Sequence, residues 1–384
     1  MGNVDSYIEH VIRQGDEGSR LLAERAAPTL KNSELVDVLG DGMNGVAVLR
    51  VPEEHYVAGA SIGGHPGITD PADYAASAVD RAVDAAELHG AEPIGFADVI
   101  DSATGDLDQL MVIQEALVKR ANAHGLPILN GENAILGNRV SGVANITGTV
   151  VAMLPFADWH EKHSVMEDRR FAVFDPEGKP IYVCCDGIGT KGEFYERNGD
   201  PETGLIDSVV MKTDDAIKMG ATIQAICEGV EISGKLDTML FRMVSEHLRN
   251  QIQAPVALSF EDMSGRIRSY RPGVPATNFS GSAISTIDED RLRNPLEPQA
   301  GDYFIAIRGE PNPRSNGISD RRRAMVRAFG PEWHTTDVGK AFMEYLASPS
   351  TLLYPVFKEL VDAGLASSVF HLSGGSYDGK LARP

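Results

Sequence analysis

Cysteine is scarce in this chain: Cys184, Cys185 and Cys227 are the full set, and two of them are adjacent. Neighbouring cysteines do not readily bridge each other, so neither a disulfide framework nor a metal-ligand spacing is present, and a reducing cytoplasm is the expected location. No stretch approaches the roughly 20 apolar residues that span a bilayer. Met1 to Glu17 is polar and lacks the apolar core of an export signal. Positive charge is also short, with 35 Lys and Arg against 55 Asp and Glu and a formal net charge of -20. That field repels phosphate backbones and argues against any broad nucleic-acid surface. An anionic ligand therefore needs a local positive site. The one dense basic run, Arg321 to Arg323, is short and reads as the solvated face of a helix.

What remains is a globular composition, 42% hydrophobic with 39 Gly. At 384 residues the chain is too long for one ordinary core of about 100–200 residues and suggests two or three packed units. The first half can be laid on the second. Ala47-Val48-Leu49 recurs as Ala172-Val173-Phe174, each followed by a proline turn and a β-type run, His55 to Ala60 and Ile181 to Cys185. Asp70-Pro71 opens a helix that Gly90 closes, and Pro201 to Met219, closed by Gly220, is its counterpart. Further helices, Leu107 to His124 and Leu236 to Gln251, each precede a short apolar run, Leu126 to Leu129 and Pro255 to Leu258.

The offset between matching landmarks stays between 125 and 130 residues, which favours a duplicated α/β unit over a chance likeness of two α/β segments. The expected division is a first repeat over 1–155, a second over 156–288 and a third unit over 289–384. That third unit starts with a strand-like Tyr303 to Arg308 and carries helices around Arg321 to Phe329 and Leu352 to Ala363. A sheet begun by Tyr303 to Ile307 and Val369 to Leu372 has few strands to complete it.

Chemistry concentrates in the second repeat. Asp186-Gly187-Ile188-Gly189-Thr190-Lys191 follows a buried-strand pattern, so a carboxylate, a hydroxyl and an amine stand on a glycine turn of the kind that offers amides to phosphate oxygens. A plain βα loop is the bland alternative. Asp207, Asp214 and Asp215 follow on the next helix at spacings of about two turns, so Asp207 can share a face with either of the others. Carboxylates near phosphates suit Mg²⁺; a solvated acidic helix is the rival reading.

These segments resemble the aminoimidazole ribonucleotide synthetase family. Asp186-Gly-Ile-Gly-Thr-Lys191 is similar to that family's Asp-Gly-Val-Gly-Thr-Lys signature, and Ile206-Asp207 through Asp215 to Gly220-Ala221 to its Ile-Asp helix and Gly-Ala-Glu-Pro turn, which stands intact as Gly90-Ala91-Glu92-Pro93. Asn130-Gly131-Glu132-Asn133 resembles its Gly-Gly-Glu-Thr, Ser315-Asn316-Gly317-Ile318-Ser319 its Ser-Asn-Gly-Tyr-Ser, and His371-Leu372-Ser373-Gly374-Gly375 its His-Leu-Thr-Gly-Gly.

The resemblance implies an α/β fold in which two N-terminal-type domains pair into a pseudo-dimeric barrel, here within one chain, with a shortened C-terminal α+β domain. It implies ATP and Mg²⁺: Asp186, Asp215 and Asp214 at the metal; Asp186, Gly187, Gly189, Thr190, Lys191, Glu132 and Asp207 at the nucleotide. Ser315, Asn316, Gly317, Arg314, Gly374 and Gly375 would bind substrate, with Lys191, His371 and Asn316 in catalytic roles. The implied reaction is ATP-dependent closure of formylglycinamidine ribonucleotide to the aminoimidazole.

Departures matter equally. The first repeat has Ala60 to His65 where the second has the acidic turn, and Ala85 in place of Asp215, yet it keeps Glu132. One composite nucleotide site per chain is the expectation, beside a purely architectural first repeat. Arg314 replaces a family His and stays charged at ordinary pH. Another ATP-using member of the superfamily, or a nucleotide-binding subunit without turnover, remains open, as does a homo-oligomer or a second chain that completes the third unit.

Overall fold

In the computed structural model, residues 17–39, 46–157, 170–271, 273–307 and 313–372 are described here. Two sheets lie face to face. The first half supplies β3 (His55–Gly63), α1 (Pro71–Leu88), β4 (Glu92–Ser102), α2 (Leu107–Ala123), β5 (Ile128–Ile135) and β6 (Ala144–Pro155), after β1 (Val36–Leu39) and β2 (Val46–Leu49). The second supplies β7 (Ala172–Phe174), β8 (Ile181–Gly187), α3 (Gly192–Asn198), α4 (Gly204–Lys218), β9 (Thr222–Ser233), α5 (Thr238–Ile252), β10 (Val256–Asp262) and β11 (Ala276–Thr286).

The strand orders are β5-β4-β6-β3-β7 and β1-β2-β8-β11-β9-β10, so four consecutive strands, β5-β4-β6-β3 in one sheet and β10-β9-β11-β8 in the other, follow the same course. In both sheets one pair is parallel, β4 with β5 and β9 with β10, across a helical crossover. At the other side of each sheet the strand next to this set is exchanged between the halves. β7, from the second half, pairs with β3 through Val57 and Phe174, while β2, from the first, pairs with β8 through Val48 and Tyr182. These are the Ala-Val-Leu and Ala-Val-Phe runs matched in the sequence.

Local chemistry places the helices. The Asp70 carboxylate caps α1 by accepting from the amides of Ala72 and Asp73 at 2.9 and 3.0 Å, and Pro71 fits the first turn because its missing N–H is not needed there. Gly90 and Gly220 end α1 and α4 at φ 68° and 69°, a region that costs other residues strain. α1 and α2 cover the outer face of the first sheet through Tyr74, Ala78, Ala82 and Leu117; α4 and α5 cover the second through Val209, Ile217, Phe241 and Leu248. Between the sheets lie Val57, Val99, Val151, Val183, Cys227 and Ile284. Strands buried on both faces read as near-continuous small and apolar runs, as β11 does.

A hydrogen-bond relay also crosses this interface. Ser282 donates to Thr149 at 2.8 Å, Thr149 and Ser61 share a bond of 2.7 Å, and Ser61 donates to the Cys227 carbonyl at 2.8 Å. Lower down, the Asn278 amide donates to Asp101 at 2.6 Å and to Glu231 at 2.9 Å. Burial raises the Asp98 and Asp101 carboxyls to about 7.

The third unit departs from expectation. It contributes α6 (Glu289–Arg293), α7 (Ile318–Phe329), α8 (Asp337–Leu346) and α9 (Tyr354–Asp362), and no strand among its described residues. Tyr303 to Ile307 has no ladder partner, and its Tyr303 and Ile305 side chains are 93% and 79% exposed. Phe304 and Phe370 do approach, with ring centroids 6.4 Å apart, so the two strand-like segments are neighbours without forming a sheet. The helices instead pack on the second half through Trp333, Leu346 and Tyr354.

Gly59 marks a close approach of the sheets, because a Cβ there would press on the Ile284 side chain and on the Cys227 sulfur. Gly59→Ala should therefore lower stability by about 1–3 kcal/mol through overpacking. An unchanged urea midpoint would contradict that packing.

Candidate functional site

The acidic turn lies where β8 ends against the seam between halves. Asp186 sits opposite Gly281 in the ladder, and its carboxylate accepts the Gly187 amide at 2.7 Å. Gly189, at φ 61°, then turns the chain through Gly189–Lys191 into α3. Burial, reinforced by the nearby charge of Asp215, raises the Asp186 carboxyl to about 6.

Asp215, on α4, accepts from Lys218 at 2.7 Å and lies 3.4 Å from His371 Nδ1. Burial would raise its carboxyl, but the His371 bond and the Lys218 charge hold it well below the ordinary range. Asp214 pairs with Arg314, and His371 Nε2 is 3.7 Å away. Burial pushes the Asp214 carboxyl up against the opposing pull of Arg314. Thus Asp186, Asp214, Asp215, Arg314 and His371 converge, drawn from β8, α4 and two segments of the third unit.

The Ser315-Asn316-Gly317 loop docks beside this group. Thr190 and Ser319 hydroxyls are 3.1 Å apart, the Asn316 amide donates to the Pro313 carbonyl at 3.2 Å, and Gly317 precedes α7 at φ 68°. Two buried polar atoms, Ser315 Oγ and His371 Nε2, have no hydrogen-bond partner among the described residues. Such atoms require water or a ligand. Gly374 and Gly375 lie outside the described residues.

Glu132 approaches from the first half. Its strand β5 packs on β8, where the Asn130 amide donates to the Val183 carbonyl at 3.2 Å. The Cys185 thiol, one residue before Asp186, is pushed up by burial and by the charges of Asp98 and Glu132.

Two expected ligands face elsewhere. Lys191 is fully buried, donating to Asp207 at 2.9 Å and to the Ser348 carbonyl at 2.8 Å, so in this structure its ammonium does not face the Asp186 group. Asp207 is its counter-ion, not a member of the acidic cluster. The physical reason is helix rise: seven residues bring Asp207 back to the face of Asp214 but about 10 Å along the axis.

Lys218 was not singled out from the sequence, although its position three residues after Asp215 is a helical ion-pair spacing. Arg81 was missed as well. Ladder register puts Ile62 opposite Gly148 as Asp186 stands opposite Gly281, which moves the equivalence two residues from the one read in the sequence. Around that first-half turn, Arg81 donates to the carbonyls of Gly63 and Gly64, the latter at 3.1 Å, and pairs with Glu261 of β10 at 2.8 Å. A guanidinium tied to two carbonyls and a carboxylate thus stands at the turn that matches the acidic one.

Among the described residues no group of three or more His, Cys, Asp or Glu is arranged to hold a metal by itself. Asp186 and Asp215 nevertheless fit the usual Mg²⁺ arrangement of one or two carboxylates completed by nucleotide phosphates. A dication would relieve the mutual repulsion recorded in the raised Asp186 carboxyl.

Fold and site together define a two-sheet α/β protein with a carboxylate-lined glycine turn at the seam of its halves. Comparison with known proteins gives that class a setting. Residues 44–154 match the family described as AIR synthase related protein, N-terminal domain. Phosphoribosylformylglycinamidine cyclo-ligase of Methanococcus maripaludis is 21% identical over 203 residues, covering 51% of this chain and 55% of that protein. The Synechococcus sp. cyclo-ligase is 30% identical over 219 residues, covering 54% and 60%. The chain thus spans about half the length of the curated relatives it matches. Phosphoribosylformylglycinamidine synthase II from Thermotoga maritima is more distant, at 10% identity and a TM-score of 0.44 over 72% of this chain and 78% of that one. The sequence matches are thus to AIR-synthase-related proteins and single out no one activity.

Because the Arg81–Glu261 pair occupies the first-half turn, any MgATP bound should titrate calorimetrically to one site per chain. Two equivalent sites would show that the pair does not block the first-half turn.

Proposed function

We propose that this chain is an ATP-using enzyme of the AIR synthase superfamily, with ATP-dependent cyclisation of formylglycinamidine ribonucleotide as its reaction. The observation that carries the reading is the convergence of Asp186, Asp214, Asp215 and His371 beside the docked Ser315-Asn316-Gly317 loop. The sequence relatives reported above are named for that cyclo-ligase activity.

Ring closure requires an amide oxygen to become a leaving group. The γ-phosphoryl of ATP passes to the formyl oxygen with release of ADP; the internal amine then attacks the activated carbon, and inorganic phosphate departs. The protein's part is positioning and charge. Asp186 and Asp215 would hold Mg²⁺, which when bound offsets charge on the phosphoryl oxygens. The amides of Gly189 and Thr190 would meet the phosphates, since those of Gly187 and Ile188 are spent on the Asp186 carboxylate and the Phe279 carbonyl, with Glu132 approaching from the other half. Ser315, Asn316 and Gly317 border the substrate. His371 Nε2, without a hydrogen-bond partner among the described residues, takes or gives a proton.

One observation favours a second reading within the superfamily. Arg314 is tied to Asp214, so it supplies fixed positive charge where a titratable group is expected, which suits a different anionic small molecule. The exposed Tyr303 to Ile307 segment supports a further polypeptide, either a second copy or another chain, lying against the third unit.

Incubation of the purified chain with formylglycinamidine ribonucleotide, ATP and Mg²⁺ should yield the aminoimidazole and ADP in equal amounts. Asp186→Asn should reduce turnover at least about a hundredfold, as loss of a transition-state charge contact does. ATP binding without product would favour the second reading. Light scattering on the same preparation tests the partner: a monomer that turns over at full rate would exclude any need for one.

A further inference from the structure

Lys191 belongs to the glycine turn but spends its charge away from it. Its ammonium donates to Asp207 Oδ1 at 2.9 Å and to the Ser348 carbonyl at 2.8 Å, and it lies 5.6 Å from the centre of the Tyr195 ring. Asp207 also accepts from the Tyr195 and Ser350 hydroxyls. Four elements meet at this buried pair: the turn, α3, α4 and the segment between α8 and α9. One residue earlier, Thr190 meets Ser319 of α7. Consecutive residues of the turn are therefore fastened to two separate parts of the third unit.

Moving the ammonium toward a phosphate would leave the Asp207 carboxylate in the interior with two hydroxyl donors and no cation, a strongly destabilising state. The Ser348 carbonyl would lose its charged donor at the same time. We propose that Lys191 is a positioning residue: paired with Asp207, it clamps the helices of the third unit to the nucleotide turn and does not itself contact phosphate. The proposal rests on the nucleotide reading above. Filling the third unit and filling the turn then become linked events, since each orders the same clamp.

The test is calorimetric binding of MgATP and MgADP to the full chain carrying Lys191→Met, Asp207→Asn or Ser350→Ala. The clamp requires Lys191→Met and Asp207→Asn to weaken both nucleotides by the same factor, on the order of tenfold. Combining the two should cost no more than either alone. Ser350→Ala, a mild change that leaves the ion pair, should weaken both nucleotides to a smaller and equal extent. Amide hydrogen exchange at Gly189 to Gly192 should quicken in all three variants while α1 stays unchanged, which a general loss of stability would not produce. A Lys191→Met effect confined to MgATP, with Asp207→Asn binding as well as or better than the parent, would make the lysine a direct phosphate ligand and overturn the proposal. Failure of the unaltered chain to bind either nucleotide would instead sink the nucleotide reading itself.

Discussion

The packing of one sheet on the other, locked by exchanged outer strands, is the constraint on which the rest depends. β7 completes the first half's sheet and β2 the second's, so neither half has a full set of backbone partners alone. Close approach at Gly59 and the Ser282-Thr149-Ser61 relay then fix the separation and register of the faces. Backbone pairing, small-residue contact and buried hydroxyl bonds all favour one arrangement. With that arrangement set, β5 of the first half lies against β8 of the second, and Glu132 is brought to the strand that carries Asp186 near its end.

The same geometry explains how two matching halves differ in chemistry. In the second, acidic groups gather at the turn and helical segments from the third unit close over them. In the first, Ile62 stands where Asp186 would, and Arg81 bonds the turn carbonyls and Glu261. An open cleft with unpaired carboxylates would carry a large desolvation penalty in a well-packed core, whereas a guanidinium with several acceptors leaves few polar groups unmet. Division of roles between the halves is thus visible in which side chains fill each turn.

Much of this architecture was legible because punctuation residues have local physical effects. Asp70-Pro71 and Gly90 bracketed α1, Gly220 ended α4, and the helices read at Leu107 and Leu236 both formed. β6 and β11 were not read from the sequence, since Thr, Ser and Gly on strands buried on both faces hide the apolar alternation. Strand exchange had no local signal at all. In the site, Asp186, Asp215 and His371 came together as their motifs implied, but Lys191 did not face them. Its orientation depends on Ser348, 157 residues away, and no spacing rule reaches that far. The strand expected at Tyr303 failed for a related reason: an extended apolar run becomes a strand only when something pairs with it.

Reciprocal exchange of β2 and β7 also bears on how such a molecule tolerates division. Cleavage between the halves would leave each fragment with a borrowed strand missing and a raw edge, along β3 in one and β8 in the other. Bare edges of this kind invite pairing with any extended chain nearby. Separate production of the two fragments would therefore favour precipitation, and joint production would favour reassembly, because the best available cover for either edge is the strand its sister already carries.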